Sequence, residues 1–251
     1  VANFDELEKE MRKLEIFHSL RVLPGAWIVL RVDGRGFSKF TQNRFKKPFD
    51  PLFHQAMVEA AQRLLVEFHG LYAYTESDEI SLLLPRECGL FDREVEKLVS
   101  VSSGLISASL SLAFQDLAHC DSRVWVGVSD QQVSSYFRWR HSDAGRCCLN
   151  GWCYWTLRQA GASVKEATSR LQGLSFSQKN ELLFQHGINY NEVPLWQRRG
   201  TGLYWKSVSK PGLNPLTGEK TVTERRKVYC DRELPMGEAY GSFIGHLLSI
   251  P

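Results

Sequence analysis

Two stretches of this chain place acidic residues where they could do chemistry. Leu30-Arg31-Val32-Asp33-Gly34-Arg35-Gly36-Phe37 ends a β-branched, apolar run that begins at Trp27. Thr75-Glu76-Ser77-Asp78-Glu79-Ile80-Ser81 sits between two apolar arms, residues 71–74 and 80–84, which read as a hairpin. Each stretch puts a carboxylate where a strand runs out. Carboxylates on neighbouring strands cannot share a dry site unless something neutralises them. A hard divalent cation does so through oxygen ligands, and it also clamps nucleotide phosphates. Either stretch alone reads more readily as an ordinary turn, because Asp-Gly and Ser-Asp are common turn dipeptides. Together they favour a metal site.

Groups able to face phosphate lie close by in the sequence. Gly34 allows the backbone to approach a ligand, and Gly36 frees the turn. Arg35, Ser38 and Lys39 add donors, Lys46-Lys47 precedes Asp50, and Arg93 and Lys97 form a further basic pair. Each of these alone is equally a solvated surface charge. Lys179-Asn180-Glu181 reads on pattern alone as a polar helix turn.

The elements that must position these residues follow from periodicity. Residues 4–20 have helical apolar spacing (Phe4, Leu7, Met11, Leu14, Phe17), and a strand covers about 26–33. After a polar loop, Asp50 and Pro51 open a helix as N-cap and first-turn proline, and it stops at His69-Gly70. The 71–84 hairpin, a long helix over 92–114 and a strand at 123–128 complete a β-α-β-β-α-β order. That is an α+β, ferredoxin-like unit in which the first strand lies beside the hairpin, so Asp33 is expected next to the 77–79 turn. Beyond it, helices are expected at 130–141, 146–160, 163–173 and 175–186. A long hairpin has arms at 202–208 and 221–228 with a turn-rich connection between them, and the tail past Pro235 reads as a short helix or a loosely held segment. The expected division is a catalytic core over 1–128 and a helical and hairpin elaboration over 129–251, packed as one unit.

Composition frames this reading. The 251 residues are 43% hydrophobic and 24% charged, as in ordinary globular proteins. A net charge of +3 permits a polyanionic partner without demanding one. Six cysteines at irregular spacings, with no leader segment read, fit reduced thiols in a cytoplasmic protein. Cys147, Cys148 and Cys153 with His141 lack a Cys-x-x-Cys pair and make a poor zinc cluster. Residues 98–114 carry no charge but hold six serines and a glycine, which suits a helix packed on a sheet better than a membrane span.

The motifs as a set resemble the tRNA-histidine guanylyltransferase superfamily. Carrying the resemblance are Arg31-Val32-Asp33-Gly34-Arg35, Phe45-Lys46-Lys47-Pro48, Tyr74-Thr75-Glu76-Ser77-Asp78-Glu79 and Trp139-Arg140. Further along come Arg170-Leu171-Gln172-Gly173, Lys179-Asn180-Glu181-Leu182-Leu183-Phe184, Ile188-Asn189-Tyr190-Asn191, Pro194 and Arg199-Gly200-Thr201. The resemblance implies a polymerase palm-like core and addition of nucleotides to tRNA 5′ ends in the 3′-to-5′ direction. It implies two Mg2+ ions held by Asp33, the Gly34 carbonyl and Asp78, roughly 3.5–4 Å apart, with Glu79 supporting the catalytic site. It also implies contacts to the incoming nucleotide from Asp33 through Arg35, Gly36, Phe37 and Ser38, together with Ser77. Lys47 and Asp50 would lie by the activating ATP, and Arg93, Lys97, Lys179 and Asn180 near phosphates or the tRNA end. ATP and GTP or another nucleoside triphosphate would be substrates, and the assembly a homotetramer built from dimers.

One departure bears on the substrate. Enzymes of the eukaryotic type carry His-x-Asn-Asn-Leu-Tyr-Asn where this chain has Gly145-Arg146-Cys147-Cys148-Leu149-Asn150-Gly151. Loss of those donors resembles the "like" branch of the superfamily, which repairs 5′-truncated tRNAs by templated addition. Basic clusters at Arg198-Arg199 and Arg225-Arg226-Lys227 among aromatics read either as a surface tracking tRNA phosphates or as a solvated hairpin face. The rival readings are a palm-like nucleotide cyclase, which lacks its usual Gly-Gly turn here, and a non-catalytic RNA-binding module, which has no use for a buried acidic cluster.

Overall fold

The computed structural model describes residues 3–213 and 220–249. Its centre is one six-stranded antiparallel sheet in the order β4-β1-β3-β2-β5-β6. The strands are β1 (Trp27–Gly34), β2 (Tyr72–Glu76), β3 (Glu79–Leu83), β4 (Cys120–Gly127), β5 (Thr201–Leu213) and β6 (Lys220–Asp231). The first four are arranged as in a ferredoxin-like unit. The last two extend that same sheet. Of the connection expected at 210–218, residues 210–213 instead continue β5 in pairing with β6, and 214–218 lie outside the described residues.

Alternation along β1 sorts its side chains to two layers. Ile28, Leu30 and Val32 pack with helices α3 (Pro51–Glu67) and α4 (Val95–Phe114), through residues such as Met57, Leu64, Leu98, Ile106 and Leu110. Trp27 and Val29 face the other way, onto α5 (Asp130–Gln159) and α9 (Gly237–Leu248), where Tyr136, Phe137, Tyr240 and Ile244 complete a second core. α4 buries the stripe Leu98, Ser102, Ile106 and Leu110 at four-residue spacing against the sheet. It is long and apolar enough by composition to cross a membrane, yet its place is a layer of this fold. The Asp50 side chain caps α3, accepting from Leu52 and Phe53 N–H, as the Asp-Pro pair indicates.

Three expectations need correction. The N-terminal helix ends early: α1 covers Phe4–Arg12, a 3₁₀ turn follows at Ile16–Ser19, and neither buries a residue. The loop after β1 contains a one-turn helix, α2 (Phe37–Thr41). The two helices expected at 130–141 and 146–160 are one continuous 30-residue α5. Gly145 lies inside it without a break, with helical φ, and passes the Arg198 carbonyl of α8 (Leu195–Arg199), which a Cβ there would meet at 3.4 Å, about van der Waals contact. Of the two readings of the tail the helix is the one observed: α9, whose Tyr240 hydroxyl meets Tyr72 at 3.0 Å. Two short helices, α6 (Val164–Leu171) and α7 (Phe176–Gln185), start with Ser163 and Ser175 capping boxes and close a third cluster on the end of α5.

Candidate active site

The register of the sheet brings the two acidic stretches together. Asp33 pairs with Glu79 across β1 and β3, and Gly34 N–H donates to the Asp78 carbonyl at 3.1 Å. Ser77, at φ 50°, makes the sharp turn that carries Asp78. Gly34 is fixed by space, since a Cβ would stand 2.5 Å from the Phe37 ring. Burial, and then the charge of Asp33, push the Asp78 carboxyl above its ordinary value, with Lys47 pulling the other way. The protein alone therefore leaves an acidic pair under-neutralised. Its donors are all oxygens, the set a hard cation such as Mg2+ takes when substrate phosphates and water complete the shell. Among the described residues no group of three His, Cys, Asp or Glu gathers for a metal, so the Gly34 carbonyl and the substrate would have to supply the rest. Cys148 and Cys153 are buried core residues, and His141 stacks on Tyr240 at 4.3 Å.

Beside Asp78 opens a cleft of about 470 Å³, large enough for one nucleotide. Phe37, Ser38, Lys47, Asp50, Ser77 and Asp78 line it, so residues expected to serve two different nucleotides share one cavity. Lys47 Nζ donates to Thr41 Oγ1 at 2.6 Å and lies 5.8 Å from the centre of the Trp155 ring. Burial lowers its ammonium pKa, while Asp78 and Asp50 oppose the shift. The aromatic walls are Tyr154 and Trp155 of α5 with Trp196 of α8, which stacks on His54 at 4.1 Å. Burial keeps His54 neutral, with its pKa pushed down to about 4.

Several expected site residues are placed elsewhere. Glu79 does not join the metal pair: Arg140 Nε and Nη2 each donate to one of its oxygens at 2.7 Å, and Arg31 lies 3.8 Å away. Its carboxylate, engaged in this way, ties the turn to α5. Arg93 is buried, with its five N–H donors directed to the carbonyls of Val22, Leu23, Ala26, Arg86 and Cys88. It ties down the loop before α4 and has no donor left for phosphate. Lys97 pairs with Glu94 at 3.1 Å on the same side of the molecule. Lys179 donates to Asn150 on α5 at 3.1 Å, and Asn180 to its own helix at Phe176; neither lines the cleft. Arg35 and Gly36 are exposed and do not line the cleft.

Reading the sequence alone misses Glu76 and gives Arg140 no role. Glu76 lines the cleft and is raised to about 8 by burial, then by Glu79, despite Arg140 at 3.3 Å. The signal is present in the chain: two acids directly opposed across a hairpin, Glu76 and Glu79, demand a buried cation from elsewhere.

A palm-like antiparallel sheet with two carboxylates at adjoining strand ends, opening on a nucleotide-sized cleft that sets Lys46 and Lys47 among Asp50, Glu76 and Asp78, is an arrangement suited to a nucleotidyltransferase. The chain belongs to the tRNA(His) guanylyltransferase (Thg1) family, a family of 3′-to-5′ nucleotidyltransferases: residues 8–140 match the tRNAHis guanylyltransferase model and 131–235 the Thg1 C terminal domain. It is 37% identical over 215 residues to the probable tRNA(His) guanylyltransferase of Drosophila melanogaster, covering 80% of this chain and 72% of that protein. The Debaryomyces hansenii tRNA(His) guanylyltransferase is 35% identical over 195 residues, 72% of this chain and 74% of that one. The crystal structure of the Saccharomyces cerevisiae enzyme superposes with a TM-score of 0.69 at 28% identity, covering 75% of this chain and 90% of that chain. A bacterial Thg1-like protein in complex with GTP shares the fold at a TM-score of 0.71 and 23% identity, over 98% and 100% of the two chains.

Proposed function

We propose that this protein adds nucleotides to 5′-truncated tRNAs by templated 3′-to-5′ synthesis. The observation that carries the reading is the state of residues 145–151 on α5. At the family's His and Asn positions this chain has Gly145, Cys147, Cys148 and Gly151, which carry no imidazole or amide; Cys148 is buried, and the neighbouring Arg146 and Asn150 are engaged, Arg146 by Asp143 at 2.8 Å and the Asn150 amide oxygen by Lys179. With those side chains engaged, selection of the nucleotide falls to base pairing, and the protein needs only phosphate clamps and shape contacts.

The chemistry has two stages. An oxygen of the RNA 5′-monophosphate attacks the α-phosphorus of ATP, and pyrophosphate leaves. The 3′-hydroxyl of an incoming nucleoside triphosphate then attacks the activated 5′-phosphorus, and AMP leaves. Asp33, Asp78 and the Gly34 carbonyl would hold two Mg2+ ions, whose contribution when bound is a lowered hydroxyl pKa and a stabilised leaving group. Lys47 and Ser77 are placed to contact the phosphates of the nucleotide in the cleft. The rings of Trp155, Tyr154 and Trp196 flank its base and exclude water. The enzyme works as a tetramer built from dimers, in the cytoplasm; exposed apolar residues on α4 and α1, such as Leu112 and Leu7, are available for contact between subunits.

The basic hairpin holds the tRNA body. Arg225 and Lys227 share one face of the ribbon with Lys206, whereas Arg226 lies on the other over Trp205 at 5.6 Å. The deciding experiment supplies radiolabelled nucleotides to tRNAs lacking their 5′ nucleotide, with each of the four bases opposite the gap. Addition should follow Watson–Crick pairing. Guanosine addition confined to histidine tRNA whatever the opposing base would refute the reading.

A further inference from the structure

Trp139 belongs to a motif that marks the family, yet it lies outside the cleft. It is 53% exposed. Its ring is nonetheless held firmly, with the Arg140 guanidinium 4.7 Å and the Arg31 guanidinium 5.5 Å from its centre and the Tyr136 ring edge-on at 5.8 Å. Arg31 and Asp33 are alternate residues on one face of β1, roughly 7 Å apart along the strand. Trp139 thus stands beside the catalytic pair on the face that α5 covers.

The two carboxylates open on different spaces. Asp78 lines the cleft, and Asp33 does not. Asp33 shares its face with its register partners Glu79 and Asp121, beside Arg31 and Arg123. With a nucleotide in the cleft, the face of β1 beside Trp139 is the other approach to Asp33 for a second reactant. That side is open and rimmed by guanidiniums, Arg123 at 53% and Arg146 at 68% side-chain exposure, each steadied by an acid, Asp121 and Asp143. An open cationic rim around an exposed indole suits the end of a nucleic acid better than a small molecule. Trp155, the aromatic wall of the cleft, is 16 residues further along the same helix, roughly 24 Å at helical rise. The two rings serve different ligands.

We propose that Trp139 is the platform on which the 5′-terminal base of the RNA stacks, positioning its 5′-phosphate over Asp33 and Asp78. This rests on the reading of an RNA 5′ end as substrate. The test places 2-aminopurine either at the 5′-terminal nucleotide or deep in the stem of a truncated tRNA. Binding to the wild-type protein should quench the terminal label and leave the internal one unchanged. Trp139→Ala should abolish that quench and weaken RNA binding roughly 5- to 150-fold, the range for removing one base–aromatic stack, with ATP affinity unchanged. Trp139→Phe should restore most of both. A terminal label that stays bright on wild-type protein, a quench that appears only when the incoming nucleotide is added, or an equal loss of ATP affinity in Trp139→Ala would overturn the assignment. Nucleotide addition by wild-type protein alongside any of these strikes Trp139 alone, whereas no addition to any truncated tRNA removes the proposed function itself.

Discussion

Replacing Arg140 with methionine asks how the acidic turn is held. The change keeps much of the side-chain volume and removes the cation bonded to both Glu79 oxygens and to Glu76 and Asp143. A buried carboxylate that loses its partner destabilises a fold by about 3–5 kcal/mol. Glu79 has a less costly route, which is to take up a proton. Starting from its ordinary value of 4.5, neutralising it requires about 3.4 kcal/mol at pH 7 and only about 0.7 kcal/mol at pH 5. The expected loss is therefore about 3 kcal/mol at pH 7, or roughly 6–12 °C in Tm for a chain of this size, shrinking to about 1 kcal/mol at pH 5. Urea denaturation in EDTA at the two pH values, followed by tryptophan fluorescence, measures both. Arg140→Met combined with Glu79→Gln should recover most of the loss. A loss of equal size at both pH values, or one undiminished in the double variant, would show that Arg140 acts by packing and not by charge.

Asp33→Ala and Asp78→Ala should each abolish nucleotide addition. Without metal, Asp78→Asn should be more stable than wild type at pH 7, because the folded state raises the Asp78 pKa and ionisation above its ordinary value weighs against folding; a less stable variant in EDTA would contradict this. His54 and His141 are both pushed down to about 4 by burial. Their contribution is whole above pH 6.5 and is lost as pH falls toward 4, on the order of 3 kcal/mol apiece at most. His54→Gln with His141→Gln should accordingly flatten the acid side of the stability profile in urea titrations. Neutralising Arg225 and Lys227 should lower the slope of tRNA affinity against log salt by roughly 0.7–0.9 for each phosphate left without its cation, and leave nucleotide binding untouched. An unchanged slope would return that face to solvent.

The sheet and the acidic pair are legible in the sequence because strand alternation, the Asp-Pro cap and the hairpin signals are local. Register then follows from which face is apolar, and register is what sets Asp33 beside Glu79. The reach of individual charges is not legible. Arg93 and Lys179 look alike as basic residues among motifs, but one is enclosed by five carbonyls and the other bonds across to α5. That difference depends on loops and helices brought together from distant parts of the chain. The role of Glu79 is hidden for the same reason: its partner is 61 residues away on α5. The continuity of α5 is hidden because a glycine tolerated inside a helix and a glycine that stops one are the same letter.

The pairing of β2 with β5 has a consequence for how the protein is made. About 125 residues separate the end of β2 from the start of β5. At ribosomal speeds, the strand leading into the catalytic turn waits roughly 6–25 s with one backbone edge uncovered. Its buried tyrosines wait longer, since Tyr72 meets Tyr240 only when α9 arrives. Nascent chains therefore present a ready edge for pairing with one another on a polysome. A ribosome stalled between residues 80 and 200 would hold the acidic hairpin in that aggregation-prone state, and a chaperone that shields strand edges would raise the yield of this protein more than one that shelters helices.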